Sequence, residues 1–232
     1  MKRFFIFLIF ITLMTARADA QVLISILFGD KLNSERMEFG VIGGVQASHL
    51  SGVGGNELFW SPILGSYFDI QLKGRWYFSP SFFLISNLGA QSLDVYLTGD
   101  PDLDIVLANG DLTRKLKYIQ LPLPLRYMLD NKVYFQVGPQ LGWLSSAIDE
   151  FTFEPTAQYS GEVRHDVLSN YKRVDAGFLF GLGYSFREKN GVDLGLNFYQ
   201  SFVDIRKNNT GEGQYLNAMY LYVTVPIGAP KE

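Results

Sequence analysis

Between residues 174 and 202 the chain alternates apolar with small or polar positions at a period of two. Ala176, Phe178, Phe180, Leu182, Tyr184 and Phe186 fall on one face, with Asp175, Gly177, Leu179, Gly181, Gly183 and Ser185 on the other. That period predicts a strand, because successive side chains of an extended chain point to opposite faces. A polar turn over 187–191 follows. Val192, Leu194, Leu196 and Phe198 then alternate with Asp193, Gly195, Asn197, Tyr199 and Ser201. Each predicted strand runs to about a dozen residues, roughly twice the usual five or six. Such strands suit a wall with lipid outside and a polar interior. The long hairpin of a soluble sandwich would alternate in the same way, so the choice rests on the rest of the chain.

The pattern recurs. A first strand is predicted over 38–50, where Phe39, Val41, Val45 and Ala47 alternate with Gly40, Gly44, Gln46 and Ser48, and a glycine-rich loop over 51–62 follows. A second, over 66–78, sets Phe68, Ile70, Leu72, Trp76 and Phe78 against Tyr67, Asp69, Gln71, Lys73, Arg75 and Tyr77; a turn at Ser79-Pro80 leads to a third over 82–93 with weaker alternation. After a loop over 94–114, a fourth strand over 117–129 points Ile119, Leu121, Leu123, Leu125, Tyr127 and Leu129 outward and Tyr118, Gln120, Pro122, Pro124, Arg126 and Met128 inward. Its two prolines remove ladder donors, so its pairing must be irregular. The fifth, over 133–143, sends Val133, Phe135, Val137, Pro139, Leu141 and Trp143 outward and Tyr134, Gln136, Gly138, Gln140 and Gly142 inward; a loop over 145–173 precedes the hairpin described above. A polar loop over 206–214 and a last strand over 216–225, with Met219, Leu221, Val223 and Val225 outward, complete the set.

Eight strands with connections alternating long and short predict an all-β fold: an eight-stranded antiparallel up-and-down transmembrane β-barrel. Its short turns would be periplasmic, its long loops external, and both termini periplasmic. Trp76 and Trp143 fall near opposite ends of the wall, where interfacial aromatic residues collect. A soluble eight-stranded ligand-binding barrel is the rival. It would turn the same apolar faces inward.

The first twenty residues add an address. Lys2-Arg3, an apolar run over 4–14 and Ala18-Asp19-Ala20 form a secretory signal pattern, too short to span a bilayer as a helix, so residues 1–20 are expected to be removed. Lys+Arg 20 and Asp+Glu 23 then become 17 and 22 as Lys2, Arg3, Arg17 and Asp19 leave, which offers nucleic acid no basic face. Residues 21–37 form a periplasmic N-terminal segment and 38–232 the barrel. The apolar run 22–28 is too short for periodicity to distinguish strand from helix. The sequence has no cysteine, which excludes disulfides, thiolate metal sites and a lipidated-cysteine anchor.

Candidate chemistry is sparse. His49 lies between Ser48 and Ser51 at the outer end of the first strand, the residue types of a rim-located lipid hydrolase or acyltransferase, but no Gly-x-Ser-x-Gly elbow exists. His165 lies in the third long loop. Asp100, Asp102, Asp104 and Asp111 fit four positions of a calcium loop, yet Ile105 stands where that loop needs glycine. Asp69, Lys73, Arg75, Arg126, Asp175 and Asp193 are inward charges, and in a lumen only wide enough for side chains they should pair with one another rather than line an ion path. The expectation is therefore a protein with no catalytic, cofactor or metal site and no open pore. Outer-membrane lipid is its expected partner, together with an unidentified protein met through the external loops or the periplasmic face.

Three stretches carry a family resemblance. Phe39-Gly40-Val41-Ile42-Gly43-Gly44, Tyr118-Ile119-Gln120-Leu121-Pro122-Leu123-Pro124-Leu125-Arg126-Tyr127 and Asp175-Ala176-Gly177-Phe178-Leu179-Phe180-Gly181-Leu182-Gly183 resemble the PorT-like outer-membrane β-barrel proteins. Most of the chain is covered, by motifs that are structural and degenerate. The resemblance implies a fold and a bacterial outer-membrane location, and some relatives belong to a protein-secretion apparatus. Such barrels often end on an aromatic residue, whereas this sequence ends Ala229-Pro230-Lys231-Glu232.

Overall fold

The computed structural model describes residues 36–54, 57–96, 104–105, 107, 110–153, 161–186, 191–207 and 212–227. The expected signal segment, the run 22–28, most of the turn 187–191 and Asp100 and Asp102 lie outside them. The strands are β1 Met37–Ser51, β2 Phe59–Lys73, β3 Trp76–Phe78, β4 Ser81–Leu93, β5 Asp111–Pro122, β6 Leu125–Met128, β7 Val133–Thr152, β8 Glu162–Asp166, β9 Val174–Ser185, β10 Asp193–Ser201 and β11 Tyr215–Pro226. All pairings are antiparallel, and the sheet closes on itself because β1 pairs with both β2 and β11. β3 and β4 form one wall strand and β5 and β6 another, which gives a ring of eight. β8 pairs only with the upper part of β7 and stands off the ring.

The assigned faces hold along the wall strands, Lys73 and Arg75 at the first short turn excepted. On β9 and β10, Phe178, Phe180, Leu182, Leu194, Leu196 and Phe198 are exposed while Asp175, Leu179, Asp193, Asn197 and Tyr199 are buried. Phe180 at 54% and Trp143 at 55% exposure are large apolar groups in a continuous outward band, which lipid accommodates and water does not. The band on β7 runs from Val133 to Trp143. At about 3.3 Å per residue and a tilt near 40°, that is roughly 25 Å tall, the height of an outer-membrane apolar belt. Trp76, packed on Tyr127 with ring centroids 4.8 Å apart, marks the lower edge of the belt. Trp143 and Trp60 mark the upper edge.

Several boundaries differ from those read in the sequence. The first hairpin on the periplasmic side turns at Gly74-Arg75, with Gly74 at φ +57°, and not at Ser79-Pro80. The pairing Ile70↔Phe78 shows why alternation concealed it: the short turn leaves Leu72, Trp76 and Phe78 on the same face. Trp76 therefore opens the third wall strand, and β2 begins at Phe59, inside the expected glycine-rich loop. Lys73 and Arg75, expected inside, are exposed at this turn, where Arg75 pairs with Asp130 of the next turn. Ser79-Pro80 is instead a break within the third wall strand. It lies beside the break at Leu123-Pro124 in the fourth, and the Ser79 N–H donates to the Pro124 carbonyl at 2.9 Å. The weak alternation of the third strand has a local cause as well. Leu64 pairs with Ile85 but Gly65 with Phe83, so Leu84 is bulged and both Leu84 and Ile85 face outward.

Two expected loops are shorter than read. β5 starts at Asp111, and β7 continues to Thr152 through a bulge at Ser145, where Lys117 pairs with Ser146 and Tyr118 with Leu144. These extensions, with β8, carry the barrel above the lipid belt.

Candidate functional site

Inside the belt, the inward positions interlock. Arg126 Nη1 donates to Asp69 Oδ2 at 2.8 Å and to Asp193 Oδ2 at 3.0 Å, its Nε reaches Gln136 Oε1 at 3.3 Å, and its guanidinium lies 4.1 Å from the Tyr134 ring centroid. Ser185 Oγ donates to the other oxygen of Asp193 at 2.7 Å, and Gln136 Nε2 donates to Asn197 Oδ1 at 2.6 Å and to the Tyr222 hydroxyl at 3.0 Å. Buried charges are tolerated when paired and hydrogen-bonded in this way. Glycines make room for the rings. An added Cβ on Gly183 would lie 2.3 Å from Tyr134 Cζ, and one on Gly195 2.3 Å from Tyr222 Cζ. A neighbouring set places the Tyr199 hydroxyl 2.7 Å and Ser201 Oγ 2.5 Å from Asp175, while Gln140 Nε2 donates to the Tyr220 hydroxyl at 2.7 Å.

The interior is not polar throughout, contrary to the expectation of a polar lumen. Toward the external end the inward positions are Leu50, Leu88, Leu116, Leu144 and Leu216, all fully buried in one apolar cluster with Ala147 and Phe151. Between the wall and the Arg126 set the described residues leave a cavity of about 10 Å³, close to the volume needed for one water.

Above the leucine layer the barrel opens into a pocket of about 370 Å³. Its wall is anchored by Arg114 on β5 and Asp149 on β7, which meet in a bidentate pair at 2.7 and 2.6 Å. The Tyr96 hydroxyl donates to Asp149 at 2.9 Å and lies 3.2 Å from His165 Nδ1 on β8, and Arg114 stacks over Tyr171, 5.6 Å from its ring centroid. Burial, with the Asp149 charge added, pushes the Tyr96 phenol well above its ordinary range, and burial also raises Tyr171. Burial alone would lower the Arg114 guanidinium, but its hydrogen bond to the Asp149 carboxylate and that group's charge hold it above the ordinary value. The far wall comes from the β10–β11 connection. Tyr171 bridges to Arg206, the Lys207 N–H donates to the Asn170 carbonyl at 2.8 Å, and the Gln214 N–H donates to Asp204 Oδ1 at 2.9 Å.

The residues singled out for chemistry do not converge. Ser48 points into the barrel, its Oγ donating to the Gly89 carbonyl at 3.1 Å, whereas His49 is the next residue on an extended strand and points away. Ser51 Oγ donates to the Tyr215 carbonyl at 3.2 Å. Among the described residues no cluster of acidic residues and histidines forms a metal site; Asp104 lies in a helical turn and Asp111 opens β5. His165 alone of these reaches the mouth pocket. The pocket's other polar residues, among them Asp94, Tyr96, Arg114, Asp149, Tyr171 and Gln214, were missed because they fell in stretches read as loops or at their margins. The available signal was Leu112, Arg114 and Leu116 alternating with Thr113, Lys115 and Lys117, a strand period continuing upstream of residue 117.

A closed antiparallel ring with an apolar belt outside and paired polar groups inside defines an integral outer-membrane barrel. The family model for the outer membrane protein beta-barrel domain matches residues 21–207, and the chain belongs to that family of the bacterial outer membrane. No curated protein matches the sequence. Similar solved structures include Neisserial surface protein A, at 13% identity over 81% of this chain and 96% of that one with a TM-score of 0.46. Ail, the attachment invasion locus protein of Yersinia pestis, is 10% identical over 82% of this chain and 99% of its own, with a TM-score of 0.40. OprG of Pseudomonas aeruginosa is 13% identical over 84% and 95%, with a TM-score of 0.32.

Proposed function

We propose that this protein is a closed, non-conducting and non-catalytic barrel, a structural or binding component of the outer membrane that works through the surface it presents outside the cell. The observation that carries this is the filling of the lumen: the Arg126–Asp69–Asp193 set and its tyrosines below, and the leucine layer above, leave no continuous polar path between the two mouths among the described residues. Ions need a hydrated route, and a layer of buried leucines offers none. The separation of His49 from Ser48 favours the non-enzymatic reading. The narrower placement with the PorT-like proteins rests on the three sequence motifs alone. Purified protein reconstituted into planar bilayers should give no stable conductance steps; reproducible porin-sized steps would overturn the closed-barrel reading.

A further inference from the structure

We propose that the pocket at the external mouth binds a neutral sugar unit, held by Tyr171 and Gln214. This goes beyond the closed-barrel reading and does not depend on it. The first ground is an imbalance in hydrogen bonding. Tyr171 and Gln214 both line the pocket, and the buried Tyr171 hydroxyl and Gln214 Oε1 have no hydrogen-bond partner among the described residues, whereas Arg114, Asp149 and Tyr96 of the same lining are paired. Tyr171 is 1% and Gln214 4% exposed, so bulk water does not solvate them freely. Buried polar groups of this kind cost stability unless something else satisfies them. An amide oxygen only accepts, and a phenol both donates and accepts, so a molecule that serves both must carry groups able to donate and to accept. Hydroxyls do this. A fully deprotonated anion such as sulfate, which offers only lone pairs, leaves Gln214 Oε1 unanswered.

Charge and shape point the same way. The charged residues of the lining are Asp94, Arg114, Asp149 and Arg206, two of each sign, and Arg114 is already neutralised by Asp149. An anion therefore meets no net cationic field. Val53, Leu93, Leu112 and Val167 add apolar surface to the lining. A lining that mixes polar and apolar groups fits a ring that is hydroxylated at its edge and presents C–H groups from its face. The volume of about 370 Å³ is at the small end of ligand pockets, which run to roughly 300–1,000 Å³, and suits a mono- or disaccharide. The walls are preorganised as well, since the Arg114–Asp149 pair and the backbone bonds of Gln214 fix them without a ligand.

The test uses the whole protein in an amine-oxide detergent, which has no sugar headgroup. Saturation-transfer NMR is recorded with glucose, galactose, mannose and N-acetylglucosamine, each free and as its methyl glycoside. The proposal expects saturable transfer to at least one sugar. Tyr171→Phe and Gln214→Leu should each weaken it roughly tenfold, the worth of about one hydrogen bond. Tyr171→Phe removes an oxygen that bonds to no described protein group, so its heat-modifiable gel band should match that of wild type, which separates lost binding from lost folding. Equal binding of the methyl glycoside assigns the ligand to the end of a surface glycan; loss on methylation assigns it to a free reducing sugar. No saturable transfer to any of the eight probes, binding unchanged in both variants, or displacement of the sugar by equimolar inorganic phosphate would each overturn the proposal.

Discussion

Removal of Arg126, the one cation buried inside the belt among the described residues, should be among the most damaging changes this barrel can suffer. Arg126 is 3% exposed and serves Asp69 and Asp193 together, at 2.8 and 3.0 Å. In Arg126→Leu both carboxylates stay buried without their shared cation and face each other across the space it left. Breaking a buried pair by deleting one partner typically costs about 3–5 kcal/mol, and repulsion between the two carboxylates adds to it. The contact of the guanidinium with the Tyr134 ring, 4.1 Å to its centroid, contributes a further ~0.5–2 kcal/mol. Against this, Asp69 lines the opening beside Met128 and Lys132, through which water can reach it, so the lower part of the range is expected. The measurement is folding into lipid vesicles across a urea titration, read by the mobility difference between unheated and boiled samples. The triple variant Arg126→Leu/Asp69→Asn/Asp193→Asn should recover most of the loss, because replacing a whole buried ion cluster by neutral groups is often close to neutral. A single variant within 1 kcal/mol of wild type, or a triple variant no better than the single, would refute the electrostatic account.

Two further outcomes follow from the wall. Leu196, exposed between Leu182 and Leu221 on the neighbouring strands, faces lipid near mid-strand, so Leu196→Arg should cost roughly 2–4 kcal/mol in the same titration while Leu196→Met stays near wild type; equal behaviour of the two would mean that this face does not meet lipid. Gly183→Ala places a methyl 2.3 Å from the Tyr134 ring and 2.5 Å from the Leu194 carbonyl, and should cost about 1–3 kcal/mol, with Gly183→Ala/Tyr134→Leu recovering part of it; a fully stable Gly183→Ala would show that the ring moves freely.

Much of the wall was legible because lipid imposes one rule along each strand, apolar out and polar or small in, and β9 and β10 obey it with Leu179 as the exception on β9. The buried tyrosines, the paired Arg126 and Asp193, and the role of glycine beside aromatic rings follow from that rule. Turn positions were less legible. The hairpin at Gly74-Arg75 leaves the alternation in phase, and the only local sign, a glycine followed by Arg75, competed with the stronger signal of Ser79-Pro80. The bulges at Leu84 and Ser145 depend on which residues sit opposite on neighbouring strands, information that one strand's sequence does not hold.

The mouth pocket was hidden for a different reason, visible on β5. Below Lys117 in the wall, the outward residues are Ile119 and Leu121 and the inward ones Tyr118 and Gln120; above it the outward residues are Thr113, Lys115 and Lys117 and the inward ones Leu112, Arg114 and Leu116. The strand keeps its phase while its polarity reverses. On β7 the outward apolar series ends at Trp143, and Glu150, paired with Lys115 at 2.7 Å, lies on the outer surface beyond it. The solvent outside changes from hydrocarbon to water at that level, so the same sheet must turn its apolar residues inward once it leaves the membrane. A single facing rule applied along the chain therefore stops at Lys117 and Trp143 and reads the remainder as loop. The part it missed is a small water-facing barrel end with its own leucine core, and that core, independent of lipid, is what holds the walls of the pocket in place.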